Sequence, residues 1–204
     1  MPHVDRTRNP VLAERYETLC RTPSDIFEHL PTFVRAVDDL AAKKVIELGT
    51  RYGVSTIAWL YGLEATGGHL WAVDCSFPVA APDSDINLLD PQGPLGQVPW
   101  FTFVSGYDTW PAVLDCLPQD DVDIVFIDTN HVYEETLVEL NLYAPRVRNG
   151  GRIYLHDTAL ETTGNASTPQ PPYPVRTAME EFSQRHNLRC ENNPSCFGLG
   201  VIYC

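Results

Sequence analysis

Short apolar runs alternate with helix-period stripes along this chain, and that rhythm predicts βαβ units on a parallel sheet. Strands are expected at Lys44–Leu48, His69–Val73, Trp100–Val104, Val122–Ile127, Arg152–Leu155 and Gly198–Tyr203, where β-branched and aromatic residues gather. Helical stripes fall between them. Val54, Ile57, Ala58 and Tyr61 share a face after the first strand, and Tyr133, Leu137 and Leu140 share one after the fourth. Val175, Ala178, Met179 and Phe182 repeat the spacing near the C-terminus. Val34, Val37 and Leu40 follow Pro31 and predict a helix ahead of the first strand. Residues 1–43 therefore read as an N-terminal helical segment packed on a domain spanning 44–204. Two stretches break the rhythm, 75–99 and 158–174, both rich in proline and both placed after a predicted strand. Loops of that length in a compact domain usually serve a ligand, and the carboxyl ends of parallel strands are where ligands bind.

Composition narrows the function classes. The 204 residues carry 14 Lys and Arg against 27 Asp and Glu, a formal net charge of −13, which repels a nucleic-acid backbone and favours cationic partners. The N-terminus has no apolar core of a signal peptide, and no apolar run is long enough to span a membrane, so a cytoplasmic location without membrane contact is expected. Six scattered cysteines form no C-x-x-C pair and read as reduced thiols.

The candidate chemistry is positional. Glu47, Asp74, Asp108, Asp128 and Asp157 each lie at or just beyond the carboxyl end of a predicted strand, so the sheet delivers its acids to one rim. Such a crevice suits a cation, a metal ion or sugar hydroxyls. The first turn, Glu47-Leu48-Gly49-Thr50-Arg51-Tyr52-Gly53-Val54-Ser55, uses Gly49 and Gly53 to bring backbone close to a ligand. A dinucleotide fingerprint would need glycine at 51 and 54, where Arg51 and Val54 stand, which counts against a nicotinamide-dependent oxidoreductase.

Glu47-x-Gly49-x-x-x-Gly53-x-Ser55 followed by Val73-Asp74 resembles the cofactor half of class I S-adenosylmethionine-dependent methyltransferases. Asp128-Thr129-Asn130-His131-Val132-Tyr133-Glu134, the Gly150-Gly151 pair and His156-Asp157-Thr158 are similar to a narrower group. That group holds the metal-dependent macrolide-sugar and rhamnosyl O-methyltransferases and the cephalosporin-hydroxylase-like proteins. The resemblance implies a Rossmann-like, doubly wound, mostly parallel sheet of about seven strands with the last antiparallel. It implies that Glu47, Gly49, Thr50, Gly53 and Ser55 shape the methionine side of the cofactor pocket, that Asp74 holds the ribose, and that Asp108 lies near the adenine. It further implies Asp128 and Asp157 as ligands of a divalent metal, Mg²⁺ or Mn²⁺, and His131 as general base beside Asp128. Where several relatives place another carboxylate before the second aspartate, this chain has His156, an imidazole that suits Mn²⁺, Fe²⁺ or Zn²⁺ better than Mg²⁺.

The implied activity is O-methyl transfer to a hydroxyl of a small, sugar-bearing acceptor with divalent-metal assistance, and the chemistry itself asks for such residues. A neutral alcohol is a poor nucleophile, and a metal ion that lowers its pKa, with a histidine to take the proton, answers that need. Each residue also has a plainer use: Asp128 and Asp157 as turn acids, His131 at a helix start, Glu134 and Glu135 favouring the first helical turn. A Rossmann-like binding or assembly protein that keeps the pocket without turnover fits those plainer uses. A second copy of the chain as partner is left open.

Overall fold

The computed structural model describes residues 9–75, 98–164 and 166–204. Seven strands form one sheet in the order β3-β2-β1-β4-β5-β7-β6: β1 Lys44–Leu48, β2 His69–Asp74, β3 Phe101–Ser105, β4 Val122–Ile127, β5 Val147–His156, β6 Arg189–Asn193 and β7 Leu199–Tyr203. The first five are parallel, and β7 runs antiparallel between β5 and β6. The α/β, mostly parallel architecture with its reversed last strand is the one expected.

Alternation along each strand sends residues to two separate cores. Val45, Leu70, Ile124 and Phe126 face α1 (Pro10–Leu19), α2 (Leu30–Leu40) and α3 (Val54–Thr66), where Leu12, Phe33 and Trp59 are fully buried. Ile46, Leu48, Val125, Ile127 and Ile153 face the other way, onto Val113 of α4 (Pro111–Leu114), Leu140 and Tyr143 of α5 (Tyr133–Tyr143) and Val175, Met179 and Phe182 of α6 (Pro174–His186). Strand order reverses between β1 and β4, so their carboxyl ends open a crevice at that point.

Several elements differ from the pattern-based expectation. Helix α1 carries no clean apolar stripe, yet Asn9 caps it, its side chain accepting from the amides of Val11 and Leu12. Strand β6, Arg-Cys-Glu-Asn-Asn, is a polar edge strand with little β propensity and takes its place by pairing with β7. Strand β5 begins five residues early, because Gly150 and Gly151 form an irregularity inside it rather than a turn before it. A Cβ on Gly151 would lie 2.9 Å from the Asp123 carbonyl, which is why only glycine passes there. Helix α5 buries Thr136, Glu139, Leu140 and Tyr143, so its inward face is rotated from the Tyr133–Leu137–Leu140 stripe. All six cysteines are free thiols. Most of the stretch 75–99 lies outside the described residues. Among the described residues no helix is long and apolar enough to cross a membrane.

Candidate active site

The crevice is built from two turns that touch. After β1 the chain turns through Gly49, and a Cβ there would stand 1.9 Å from the Asp128 carbonyl, so the first turn passes against the loop after β4 at van der Waals contact. Asp128 donates its own amide to Leu48, and Gly49 donates to Val73, which ties the three strand ends together. Gly53, at a φ of 84°, starts α3.

On the β1–β2 side the carboxylates of Asp74 and Glu47 are satisfied by the protein itself. Asp74 Oδ2 accepts from the amides of Thr50 at 3.0 Å and Arg51 at 2.8 Å. Two amides that would cradle a phosphate in a dinucleotide-binding turn are thus committed to a carboxylate, in keeping with the missing glycines. Glu47 is fully buried, and its two oxygens accept from Ser55 Oγ and Thr56 Oγ1, each at 2.6 Å. Burial pushes its carboxyl up to about 8 against the pull of those two hydroxyls. Thr50 is buried beneath the turn. Asp108 follows β3 further along the rim, and its backbone carbonyl accepts from the Tyr143 hydroxyl at 2.7 Å.

On the β4–β5 side the carboxylates meet imidazoles. His131 Nε2 lies 3.1 Å from Asp128 Oδ1 and 2.8 Å from Asp157 Oδ2. One ligand atom from each of Asp128, His131 and Asp157 falls within 4.8 Å of the others, close enough to share a metal ion. His156, 2% exposed, turns Nδ1 toward the same oxygens at 3.4 and 3.5 Å. Its Nε2 faces the carbonyls of Asp25 at 3.1 Å and Cys196 at 3.3 Å. A carbonyl only accepts, so Nε2 carries the hydrogen and Nδ1 is the atom offered to the acids.

Burial disfavours charge on both rings, yet the hydrogen bonds to Asp128 and Asp157 outweigh it, raising His131 to about 9 and His156 to about 11. The reverse holds for the acids: burial raises them, and the two imidazoles overcome it, holding Asp128 below the usual carboxylate range and Asp157 well below it. The carboxylates are therefore ionised and cation-seeking. Two aspartate oxygens with one or two imidazole nitrogens make a donor set suited to Mn²⁺, Fe²⁺ or Zn²⁺, and less to Mg²⁺.

Backbone strain gathers at the same place. Arg51, His131, Asp157, Cys196 and Phe197 all hold positive φ between 46° and 64° without being glycine, a conformation that costs on the order of 1 kcal/mol each and persists where surroundings enforce it. The loop after β5 folds back over this rim. Gln170 accepts from the Tyr133 amide at 2.8 Å and donates to Glu134, and the Tyr173 amide closes the loop onto the Glu161 carbonyl.

Glu47 and Asp74 thus meet hydroxyls and amides, Asp128 and Asp157 meet imidazoles, and the Asp108 carboxyl turns to Glu139 of α5. Pattern reading passed over Asp25 and Cys196, whose carbonyls orient His156 from far along the chain and leave no local mark. It also passed over Glu139, because the face that α5 buries is rotated from its apolar stripe.

A family model described as a methyltransferase domain matches residues 46–158 of the 204, which takes in both turns and every acid of the rim. The O-methyltransferase ankF of Aspergillus thermomutatus is 28% identical over 123 residues, 59% of this chain and 47% of that protein. The chain thus spans about half the length of this curated relative. The SAH-bound methyltransferase PaMTH1 of Podospora anserina superposes with a TM-score of 0.65 at 16% identity, over 96% of this chain and 88% of that one. An O-methyltransferase of Bacillus cereus in complex with SAH does so with a TM-score of 0.64 at 16% identity, over 98% and 94%. At such identities the likeness is one of fold.

Proposed function

Because the chain belongs to the methyltransferase-domain family, we propose that it transfers a methyl group from S-adenosylmethionine to a hydroxyl of a small, sugar-bearing acceptor, assisted by a divalent metal ion. The observation that carries the reading is the contact between Gly49 and Asp128, which sets a glycine turn against an acid–imidazole centre. In-line transfer needs a donor methyl and an acceptor oxygen side by side, and these two turns are side by side.

The donor supplies an electrophilic methyl on a cationic sulfur. The turn from Gly49 to Gly53 receives its methionine part, with Ser55 and Thr56 held in place by Glu47. Asp74, fixed by the Thr50 and Arg51 amides, presents a carboxylate suited to a ribose diol, and Asp108 stands on the adenine side. Asp128 and Asp157 would hold the metal with His131 or His156, and the ion would supply Lewis acidity worth several kcal/mol toward ionising an acceptor hydroxyl. Asp25 and Cys196 keep the Nε2 hydrogen of His156 turned away from the centre. His131 touches both carboxylates, so it receives a proton leaving the acceptor at this point, once those carboxylates face another cation.

Two measurements test the reading. Calorimetric titration should show binding of S-adenosylhomocysteine and none of NAD; the opposite pattern would overturn the donor assignment. Labelled methyl from S-adenosylmethionine should appear on sugars with vicinal hydroxyls in the presence of Mn²⁺ and disappear with chelator. Binding without transfer to any hydroxylated acceptor would leave a binding protein in place of an enzyme.

A further inference from the structure

Away from the acid–imidazole centre, the carboxyl oxygens buried with no hydrogen-bond partner among the described residues include Asp108 Oδ2 and Glu139 Oε2. Their carboxyl groups lie within hydrogen-bonding reach of one another. Asp108 belongs to the turn between β3 and α4; Glu139 sits on α5 and is 2% exposed. The other oxygen of Glu139 accepts from Thr129 Oγ1 at 2.6 Å, and Thr129 follows Asp128 directly. No described neighbour offers a hydrogen to either bare oxygen. Two ionised carboxylates in that position would repel each other and leave two acceptors desolvated and unpaired. One hydrogen between them removes both faults.

We infer that Asp108 and Glu139 share a single proton, an acid–carboxylate bolt that fastens the turn after β3 to α5 and, through Thr129, to the loop carrying Asp128 and His131. Both residues then act as positioning residues, joining the two sides of the crevice. The charged and titratable groups that face the pair are Glu135, on the same helix, and Tyr143, whose hydroxyl is committed to the Asp108 carbonyl. Arg146 lies 5.5 Å over the Tyr143 ring and spends its guanidinium on the carbonyls of Leu114 and Pro118. The surroundings are therefore acidic or neutral, and burial raises both carboxyl groups above the usual range. The amides of Asp108 and Thr109 serve the Asp108 carboxyl, but among the described residues no cation takes the proton's place between the two acids.

Glutamine tests this cleanly, because its amide donates to Asp108 and its oxygen still accepts from Thr129 at every pH. An infrared difference spectrum at neutral pH, unsubstituted protein minus Glu139→Gln, should show the carbonyl stretch of a protonated carboxylic acid. A featureless difference spectrum overturns the shared proton. The raised carboxyl makes the folded state bind a proton that the unfolded state has lost, so Glu139→Gln should gain stability relative to the parent as pH rises, by about 4 °C in melting temperature near pH 8. A melting difference that does not change with pH overturns it equally. The coupling to the crevice rests on the functional reading above and has its own readout. Affinity for S-adenosylhomocysteine should fall about tenfold in Glu139→Leu and return in Glu139→Gln. Equal weakening in both variants overturns the bolt's role in positioning. If the unsubstituted protein does not bind that ligand at all, the functional reading fails and the infrared result still decides the proton.

Discussion

Glu47 and Asp128 stand at the ends of neighbouring strands, β1 and β4, in parallel register, and they hold their protons in opposite ways. Glu47 is buried among hydroxyls and is pushed up to about 8, so at neutral pH it is largely an uncharged acid. Asp128, whose side chain is 24% exposed, faces His131 and His156, which keep it ionised. The difference lies in the partners. A hydroxyl lends a hydrogen bond and no charge, while an imidazole lends both and can surrender its place to another cation. One side of the crevice is thus fixed in shape, and the other is exchangeable in charge. Sorting adjacent carboxylates in this way assigns them separate tasks.

The sharpest way to break the contrast is to remove charge where it is exchangeable. Asp128→Asn and Asp157→Asn keep the volume but leave the imidazoles and any metal ion without their anionic partner. Methyl transfer should fall by on the order of 10³-fold or more, with affinity for S-adenosylhomocysteine changed less than about tenfold. Transfer assays and calorimetry on folded variants check this. A parallel loss of affinity and turnover would mean that the acids serve the donor pocket instead.

Next in size is the contact that joins the sides. Gly49→Ala would drive a methyl group into the Asp128 carbonyl, 1.9 Å away, at a φ of 85° that alanine resists. The backbone would have to part, at a cost of about 4 kcal/mol. Urea denaturation should report that loss. A near-neutral result would show that the two turns are free to separate, and the argument from adjacency would go with it.

What could be read from residues alone follows the same division. The parallel strands β1, β2 and β4 announce themselves as buried apolar runs, and their ends locate Glu47, Asp74 and Asp128 within a residue or so. Asp157 and His156 follow from the same logic at β5, although its first half hides behind Gly150 and Gly151. Strand β6 was not legible, since its polar sequence owes its conformation to β7. Helix α1 depends on its Asn9 cap and on packing against α3. The distinction between hydroxyl-bound and imidazole-bound acids was equally hidden. Ser55 and Thr56 reach Glu47 along one helical turn, but His156 reaches Asp128 across two strands and is oriented by Asp25, a contact spanning 131 residues. Local pattern carries the strand ends; it does not carry what meets there.

The fixed side can be tested by its own pH dependence. Glu47 has a folded-state value near 8 against an ordinary 4.5, so between those limits the folded protein binds a proton that the unfolded chain has released. Stability should therefore decline as pH rises across that window and level off above it, by a swing on the order of 5 kcal/mol. Glu47→Gln removes the titration while its amide and oxygen still serve Ser55 and Thr56, so its advantage over the parent should grow from pH about 5 to about 8. Asp128 contributes with the opposite sign: its depressed value adds stability that is present above the ordinary carboxylate range and lost as pH falls through the folded one. Relative to the parent, Glu47→Gln should gain stability as pH rises toward 8, whereas the deficit of Asp128→Asn should be full above the ordinary carboxylate range and shrink as pH falls below it. If both differ from it by a constant amount, the two carboxylates are not sorted by charge, and the crevice has one kind of side rather than two.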